Sequence, residues 1–250
     1  MKPLRLALLS RRYPPLIGGA ERVVSYLAEA LAREGARVSV LTSRSSEGEE
    51  TKRLPARETV VVGTGPGARR ESPGGAGSLE IVRLGTLPVR FLGTWLYMRN
   101  LRRWLAEHSI DLAYVSMLKH DAYVAVGQGA RRGFPVVLRP EGAGATGDLA
   151  WQAWGRFGRT IGRRCRQADA IVSISQAVQA ELLDAGYNPA KIHSLPNGVP
   201  VPATPWQPRS EGSLAPHALF VGRLAPEKGL DALLDAWPQI LACHPQGRLT

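Results

Sequence analysis

The chain has 250 residues, so its length allows one large domain, or one domain followed by part of another. Its hydrophobic fraction of 44% is normal for a packed globular protein, and no apolar run is long enough to span a bilayer. The net charge of +11 favours anionic partners, but zinc-finger spacing, RNP-type aromatic strands and long basic blocks are all missing from the sequence. We therefore predict phosphorylated small molecules or an anionic membrane surface as partners, and no nucleic acid. A solvated basic surface without such a partner explains the charge about as well as a membrane surface does.

The N-terminal stretch and the two cysteines indicate in which cellular compartment the protein is located. The apolar stretch Leu4–Leu9 is too short for a signal peptide and is followed by Arg11 and Arg12, so a first β-strand is the better interpretation. Cys165 and Cys243 lie far apart without metal-ligand spacing, which fits a reducing compartment and predicts no structural metal. We expect a cytoplasmic protein that contacts the inner face of the membrane peripherally.

Strands and helices alternate along the chain, which predicts a parallel sheet with helices on both faces. Residues 43–78 interrupt this order because they are polar and rich in Gly and Pro, with one short predicted strand at Thr59–Val62. In chain order, the other predicted elements are strand Arg5–Ser10, helix Ala20–Glu34, strand Arg37–Thr42, strand Leu79–Leu84, helix Phe91–His108, strand Asp111–Ser116, helix Asp121–Arg132, strand Pro135–Leu138, helix Trp151–Gln167, strand Ala170–Ser175, helix Gln176–Ala185 and strand Lys191–Leu195.

The proline-rich segment Pro196–Pro216 divides the chain, since its six prolines cannot sustain a helix or a central strand. We predict a Rossmann-like acceptor-side domain over residues 1–198, a linker over 199–216 and the start of a second Rossmann-like domain over 217–250. This second unit is predicted to contain strand Ala218–Val221, helix Leu230–Cys243 and the first residues of another strand, Arg248–Thr250.

Gly18 and Gly19 lie between the first strand and the first helix, at the sheet edge where ligands of doubly wound folds bind. Two glycines let backbone N–H groups approach a phosphate or a sugar closely. Their spacing is not the GxGxxG fingerprint of a nicotinamide or flavin site. A plain turn at a helix start explains the same residues equally well, so both interpretations stay open.

The loop that runs from Arg139 to Asp148 also follows a strand and combines small residues with two carboxylates. Glu141 could accept hydrogen bonds from a polyhydroxylated ligand, and we favour this over an ordinary surface acid because strand-end loops bind ligands in this architecture. Of the five histidines only His120, just past a strand end, has a suitable position for a site. An exposed histidine at a helix start is the alternative.

Two further turns contain candidate site residues, one before the linker and one near the start of the second unit. Asn197-Gly198 is a strong turn signal by itself, and its place beside the linker would face a cleft between domains. Arg223 and Lys228 lie five residues apart, just before the helix at Leu230. Arginine can make forked contacts to phosphate oxygens and lysine adds a point charge. Because cations at a helix start are unfavourable against the helix dipole, the pair favours an anionic ligand over two solvated cations.

The helical stretch Pro88–Arg103 mixes aromatic residues and methionine with four arginines. This composition is typical of a helix that lies on a membrane surface. A core helix with a charged outer face explains it more economically, and amphipathicity alone does not separate the two interpretations.

The glycine loop, the Asn-Gly turn and the Arg–Lys segment together resemble the retaining glycosyltransferases of family 4, which have the two-domain GT-B fold. The matching residues are Gly18-Gly19-Ala20-Glu21, Pro196-Asn197-Gly198-Val199, Val221-Gly222-Arg223-Leu224 and Glu227-Lys228-Gly229. The resemblance covers nearly the whole chain. It implies a full acceptor-side domain and the first unit of a donor-side domain.

The resemblance implies a nucleotide sugar as donor, transferred with retention of configuration and with no cofactor or required metal. It implies that Arg223 and Lys228 hold the donor diphosphate and stabilise the charge that grows on the leaving group. Gly18 and Gly19 would close against the same donor, and Asn197 is a further expected donor-binding residue. We expect the acceptor to be a glycan, a small molecule or a lipid-linked envelope precursor, with Glu21, His120 and Glu141 as its candidate contacts.

Two departures from the family keep alternatives open. The strand that ends at Ser116 lacks the family's usual histidine, unless His120 substitutes from the next turn. The paired glutamates of the family's donor domain are not in this sequence. A sugar- or nucleotide-binding module without turnover is therefore one alternative. An epimerase or phosphorylase of the GT-B type is another.

Overall fold

The computed structural model describes residues 2–16, 18–44, 54–60, 77–199, 201, 204, 216–222 and 224–250. Two compact units divide the chain, Met1–Val199 and Pro200–Thr250. Most of the predicted linker 199–216 and the interior of the polar stretch 43–78 lie outside the described residues.

The first unit is built on a single sheet. Its strands are β1 (Arg5–Leu9), β2 (Arg37–Ser43), β3 (Arg57–Val60), β4 (Ser78–Leu84), β5 (Leu112–Ser116), β6 (Val136–Arg139), β7 (Ala170–Ser173) and β8 (Ile192–Ser194). They pair in the order β3-β4-β2-β1-β5-β6-β7-β8. Each neighbouring pair is parallel except β3 with β4, which is antiparallel at the edge of the sheet. The predicted parallel sheet is confirmed except at this edge, where β3 runs antiparallel to β4.

Two apolar clusters cover opposite faces of the sheet, because side chains alternate along a strand. Leu6 and Leu8 of β1 belong to one cluster, and Ala7 and Leu9 belong to the other. The first cluster includes α1 (Gly19–Arg33), and the second includes helices α2 (Arg90–Glu107), α3 (His120–Arg132), α5 (Gly158–Cys165) and α6 (Gln176–Asp184). The expected doubly wound α/β fold of the first unit is therefore confirmed.

One predicted helix, Trp151–Gln167, is wrong as a single element. The structure has α4 (Asp148–Trp154) and then α5, separated by a turn. Gly155 and Phe157 form this turn, and Phe157 has a left-handed φ of 63° that an α-helix cannot contain. Gly158 follows and packs so closely on Gln152 that a side chain at 158 would collide with its backbone. Helical periodicity continues across this break, which is why the sequence pattern did not show it.

The second unit is small. It contains β9 (His217–Ala218), a 3₁₀ turn at Pro226–Lys228, α7 (Leu230–Cys243) and β10 (Arg248–Leu249). β9 and β10 pair in parallel, so a strand, a helix and a second strand follow one another as the sequence predicts. Within the described part of the whole chain, none of the helices is long and apolar enough to cross a bilayer.

Candidate functional site

The strand order of the first unit reverses at β1, since β2 lies on one side of it and β5 on the other. In open α/β sheets the crevice outside the carboxyl ends of the strands at such a reversal is the usual ligand site. The loops that follow β1 and β5 meet there, and the loop after β6 lies beside them. The predicted residues Gly18, His120 and Glu141 all lie on these loops or at the helix starts that follow them.

Arg139 is the centre of a buried polar network at this edge. It ends β6, is 1% exposed, and donates hydrogen bonds to Glu141 Oε1 and, over 2.6 Å, to Asn197 Oδ1. Ser116, the last residue of β5, donates its hydroxyl proton to the same Glu141 oxygen. Two predicted site residues 56 positions apart, Glu141 and Asn197, are thus joined through one guanidinium.

A buried carboxylate fixes the backbone around this network. Asp148 accepts hydrogen bonds from the backbone N–H of Glu141 at 2.7 Å and of Leu118 at 3.2 Å. Burial raises the pKa of both Glu141 and Asp148, and the positive charge of Arg139 opposes the shift at each. The hydrogen bonds from Arg139 and Ser116 hold the carboxylate of Glu141 in place.

His120 opens α3 and packs against Trp151, with ring centroids 5.5 Å apart in an edge-to-face arrangement. Burial lowers the pKa of His120 to about 4, and the nearby charges of Arg11 and Lys119 lower it further. The imidazole is therefore neutral at pH 7. A neutral imidazole keeps one nitrogen that accepts a hydrogen bond, which suits contact with a hydroxyl group.

Asp121, in the first turn of α3, is a second buried acid near the loop after β1. Tyr97 donates a 2.9 Å hydrogen bond to Asp121, and the guanidinium of Arg11 lies 5.2 Å from the centre of the Tyr97 ring. Burial raises the pKa of Asp121 to about 6, while its hydrogen bond with Tyr97 and the charge of Arg11 oppose this. Arg11 also donates to Thr94 at 2.9 Å, so the loop after β1 is anchored to α2.

The glycine loop has a local structural role as well as a predicted ligand role. Gly18 is the N-cap of α1, and the carboxylate of Glu21 folds back against it, so a side chain at 18 would displace Glu21. Glu21 is 7% exposed and pairs with Arg12 at 3.1 Å. Gly19 has no atom within 4 Å of where a Cβ would stand. Of the two glycines, Gly19 is thus the one with open space beside it.

In the second unit, Lys228 ends the 3₁₀ turn and lies exposed two residues before α7 begins. Gly229 follows with a left-handed φ of 69° and forms the N-cap of α7. The aliphatic stem of Lys228 comes within 3.9 Å of the Cβ position of Gly222. Arg223, the other predicted phosphate contact, lies outside the described residues.

Sequence reasoning missed the organising role of Arg139 and the contribution of Ser116. Arg139 follows the apolar run Val136-Val137-Leu138, and a charged residue that ends a buried strand was the available signal. No local signal marks Ser116, since its partner Glu141 comes from the neighbouring strand's loop.

Curated relatives align with nearly all of this chain, whereas the chain aligns with only part of each relative. The chain is 27% identical over 266 residues to the glycogen synthase of Mycobacterium tuberculosis, covering 99% of this chain and 61% of the relative. It is 30% identical to the D-inositol 3-phosphate glycosyltransferase of Kineococcus radiotolerans, covering 98% and 58%. The chain therefore spans about 60% of the curated relatives it matches.

Among solved structures, Anabaena HepE in complex with UDP and glucose matches with a TM-score of 0.63 at 18% identity, covering 98% of this chain and 60% of HepE. This likeness shows a shared fold. The family model for Glycosyltransferase Family 4 matches residues 17–201, which is most of the first unit. The chain therefore belongs to glycosyltransferase family 4.

Proposed function

We propose that the protein transfers a sugar from a nucleoside diphosphate sugar to an acceptor, with retention of configuration. The observation that carries this proposal is the match of residues 17–201 to the family 4 model. The polar network at the carboxyl edge of the parallel sheet supports it, since that edge is where such folds bind ligands. Because the chain spans about 60% of its curated relatives, the proposal concerns the activity of the intact enzyme.

For the donor, we propose that Arg223 and Lys228 hold the diphosphate and stabilise the negative charge that develops on the leaving group. Lys228 lies just before the N-terminus of α7, whose backbone N–H groups and dipole favour an anion. Two cations would offset the negative charge of the leaving diphosphate without a metal ion or any other cofactor. Gly18, Gly19 and Asn197 stay predicted donor contacts.

For the acceptor, we propose the crevice at the carboxyl ends of β1 and β5. His120 is neutral at pH 7 and offers one acceptor nitrogen, and Glu141 is an acid whose orientation is fixed by Arg139 and Ser116. Glu21, which pairs with Arg12, is a third candidate contact. These groups suit a polyhydroxylated acceptor, that is, a glycan, a small molecule or a lipid-linked precursor. We also propose a cytoplasmic location with peripheral contact to an anionic membrane.

UDP-glucose is the first donor to test, because Anabaena HepE binds UDP and glucose. Purified protein is titrated with UDP and UDP-glucose by calorimetry, and donor turnover is followed as released UDP with and without a panel of glycan and lipid-linked acceptors. Acceptor-dependent release of UDP with an α-configured product from an α-configured donor supports the proposal. Binding without turnover in the intact enzyme would favour the binding-module alternative, and conversion of the donor sugar to an isomer would favour the epimerase.

A further inference from the structure

An open groove of about 490 Å³ lies between α2, α3 and α5, on the sheet face opposite α1. Its lining residues include four arginines, namely Arg99 and Arg102 from α2, Arg131 from α3 and Arg164 from α5. Arg164 lies 4.4 Å from the centre of the Tyr123 ring, and Gly127 makes room for it, since a Cβ there would stand 2.5 Å from its Nη1. Four cations thus converge on a concave surface.

Large exposed apolar side chains lie on the elements that border this groove. Trp95, which also lines it, is 60% exposed, and Phe91 and Leu92 on the preceding turn of α2 are exposed as well. Trp154 and Phe157, in the turn between α4 and α5, are 72% and 65% exposed. The guanidinium of Arg156 lies 4.6 Å from the ring centre of Phe91, so this turn and the start of α2 form one surface.

The charge of this region is one-sided. Residues 85–166 contain thirteen basic residues and five acidic ones. All five acids are engaged within the first unit: Glu107 with Arg103, Asp111 with Arg5, Asp121 with Tyr97, Glu141 with Arg139, and Asp148 with backbone N–H groups. Among the described residues, no carboxylate forms an ion pair with any of the four arginines of the groove.

We propose that this face is a docking surface for an anionic lipid bilayer, with the groove receiving phosphate groups of the lipid headgroups. Arginines without acidic partners complement the negative headgroup layer. The exposed tryptophans and the two phenylalanines beside them suit the interfacial zone, where aromatic rings are stable. The start of α2 carries exposed apolar residues, whereas one face of the helix is buried from Tyr97 onward. This explains why the sequence of α2 fits both a core helix and a membrane-surface helix.

The test compares two pairs of arginines on opposite faces of the sheet. The chain is co-sedimented with vesicles of phosphatidylcholine alone and with vesicles that contain one third phosphatidylglycerol, at 50 and 300 mM NaCl. Arg99→Gln/Arg131→Gln removes two charges from the groove, and Arg22→Gln/Arg33→Gln removes two from α1. Circular dichroism and thermal melts confirm that both variants fold.

We expect binding to the anionic vesicles alone, weakened by salt, and roughly a 10- to 30-fold lower partition coefficient for the groove variant. The α1 variant should stay within about threefold of the unmodified chain. Equal losses in both variants would show attraction by net charge alone and would overturn the proposal. So would the absence of vesicle binding, whether or not the groove binds inorganic phosphate or mediates self-association in sedimentation velocity runs.

Fluorescence quenching by brominated lipid tests, independently of charge, whether the exposed tryptophans Trp95 and Trp154 enter the bilayer. Vesicle binding should quench the chain's tryptophan emission, and Trp95→Phe/Trp154→Phe should remove most of the quenching. Trp237→Phe, in the second unit, should leave it in place. Undiminished quenching in the double variant would place another surface on the bilayer and contradict the proposal. Neither measurement depends on sugar transfer, so its outcome is separate from that of the proposed activity.

Discussion

Arg139 and the arginines of the α2–α3–α5 groove show two different uses of the same side chain. Arg139 is 1% exposed and donates to Glu141 and Asn197, whereas Arg99, Arg102 and Arg131 are exposed. A buried guanidinium with its partners inside the protein fixes their positions, because leaving it unpaired there would be costly. An exposed guanidinium with no acidic partner keeps its donors for another molecule. Burial and pairing, rather than charge, therefore separate a positioning arginine from a binding one.

Arg139→Met should have the largest effect of the variants that test this difference. It leaves the carboxylate of Glu141 buried without its cation, so we expect the free energy of unfolding to fall by about 3–5 kcal/mol in denaturant titrations. Adding Glu141→Gln should recover part of the loss, because the unpaired charge is then removed. Arg103→Met, which breaks an exposed pair with Glu107, should have no measurable effect. Similar losses in Arg139→Met and Arg103→Met would refute the distinction.

Lys228→Ala and Arg223→Ala test cations that are proposed to bind a ligand. We expect each to cost about 2–4 kcal/mol of transition-state stabilisation, measured as kcat/KM in the intact enzyme. Lys228 is exposed, so its variant should unfold like the unmodified protein. Arg248→Ala, which removes an exposed arginine from the same unit, serves as the matched control. Full activity in both the Lys228 and Arg223 variants would rule out the diphosphate role.

Asp121→Asn tests a buried acid whose hydrogen-bond partner, Tyr97, carries no positive charge. The folded-state pKa of about 6 lies above the reference value of 3.8, so the native state binds more protons between these values. The stability that this protonation contributes is full below pH 3.8 and is lost as pH rises through 6. Relative to the variant, the unmodified chain should therefore lose about 2 kcal/mol of unfolding free energy between pH 4.5 and 7.5. A pH-independent difference would contradict the raised pKa.

Gly19→Ala should have the smallest effect on stability. No atom lies within 4 Å of the new Cβ, so we expect the free energy of unfolding to change by less than about 0.5 kcal/mol. If Gly19 approaches the donor, calorimetry should nevertheless show weaker binding of the nucleotide sugar. Gly18→Ala provides the contrast, since its Cβ would displace the Glu21 carboxylate and disturb the start of α1. Unchanged donor affinity in Gly19→Ala would remove the glycine from the predicted site.

The alternation of strands and helices was readable from the sequence because it depends on local periodicity. β1, β2 and β4 and helices α1 and α2 lie close to their predicted positions for this reason. The break between α4 and α5 was not readable, because it depends on the close packing of Gly158 against Gln152. The first two residues of the predicted strand Thr59–Val62 belong to β3, and residues 61–62 lie outside the described residues. The antiparallel direction of β3 was decided by its pairing with β4.

The fold class, the family resemblance and most of the candidate residues were predictable without a structure. These follow from residue types at short spacings, such as Gly18-Gly19 and Asn197-Gly198. Which of these residues contact one another depends on the three-dimensional packing of the chain. Asn197 reaches Glu141 through Arg139, and Arg99, Arg131 and Arg164 converge on one groove from three helices. Such contacts depend on how strands register and helices pack across the whole sheet, and no local stretch of sequence specifies that arrangement.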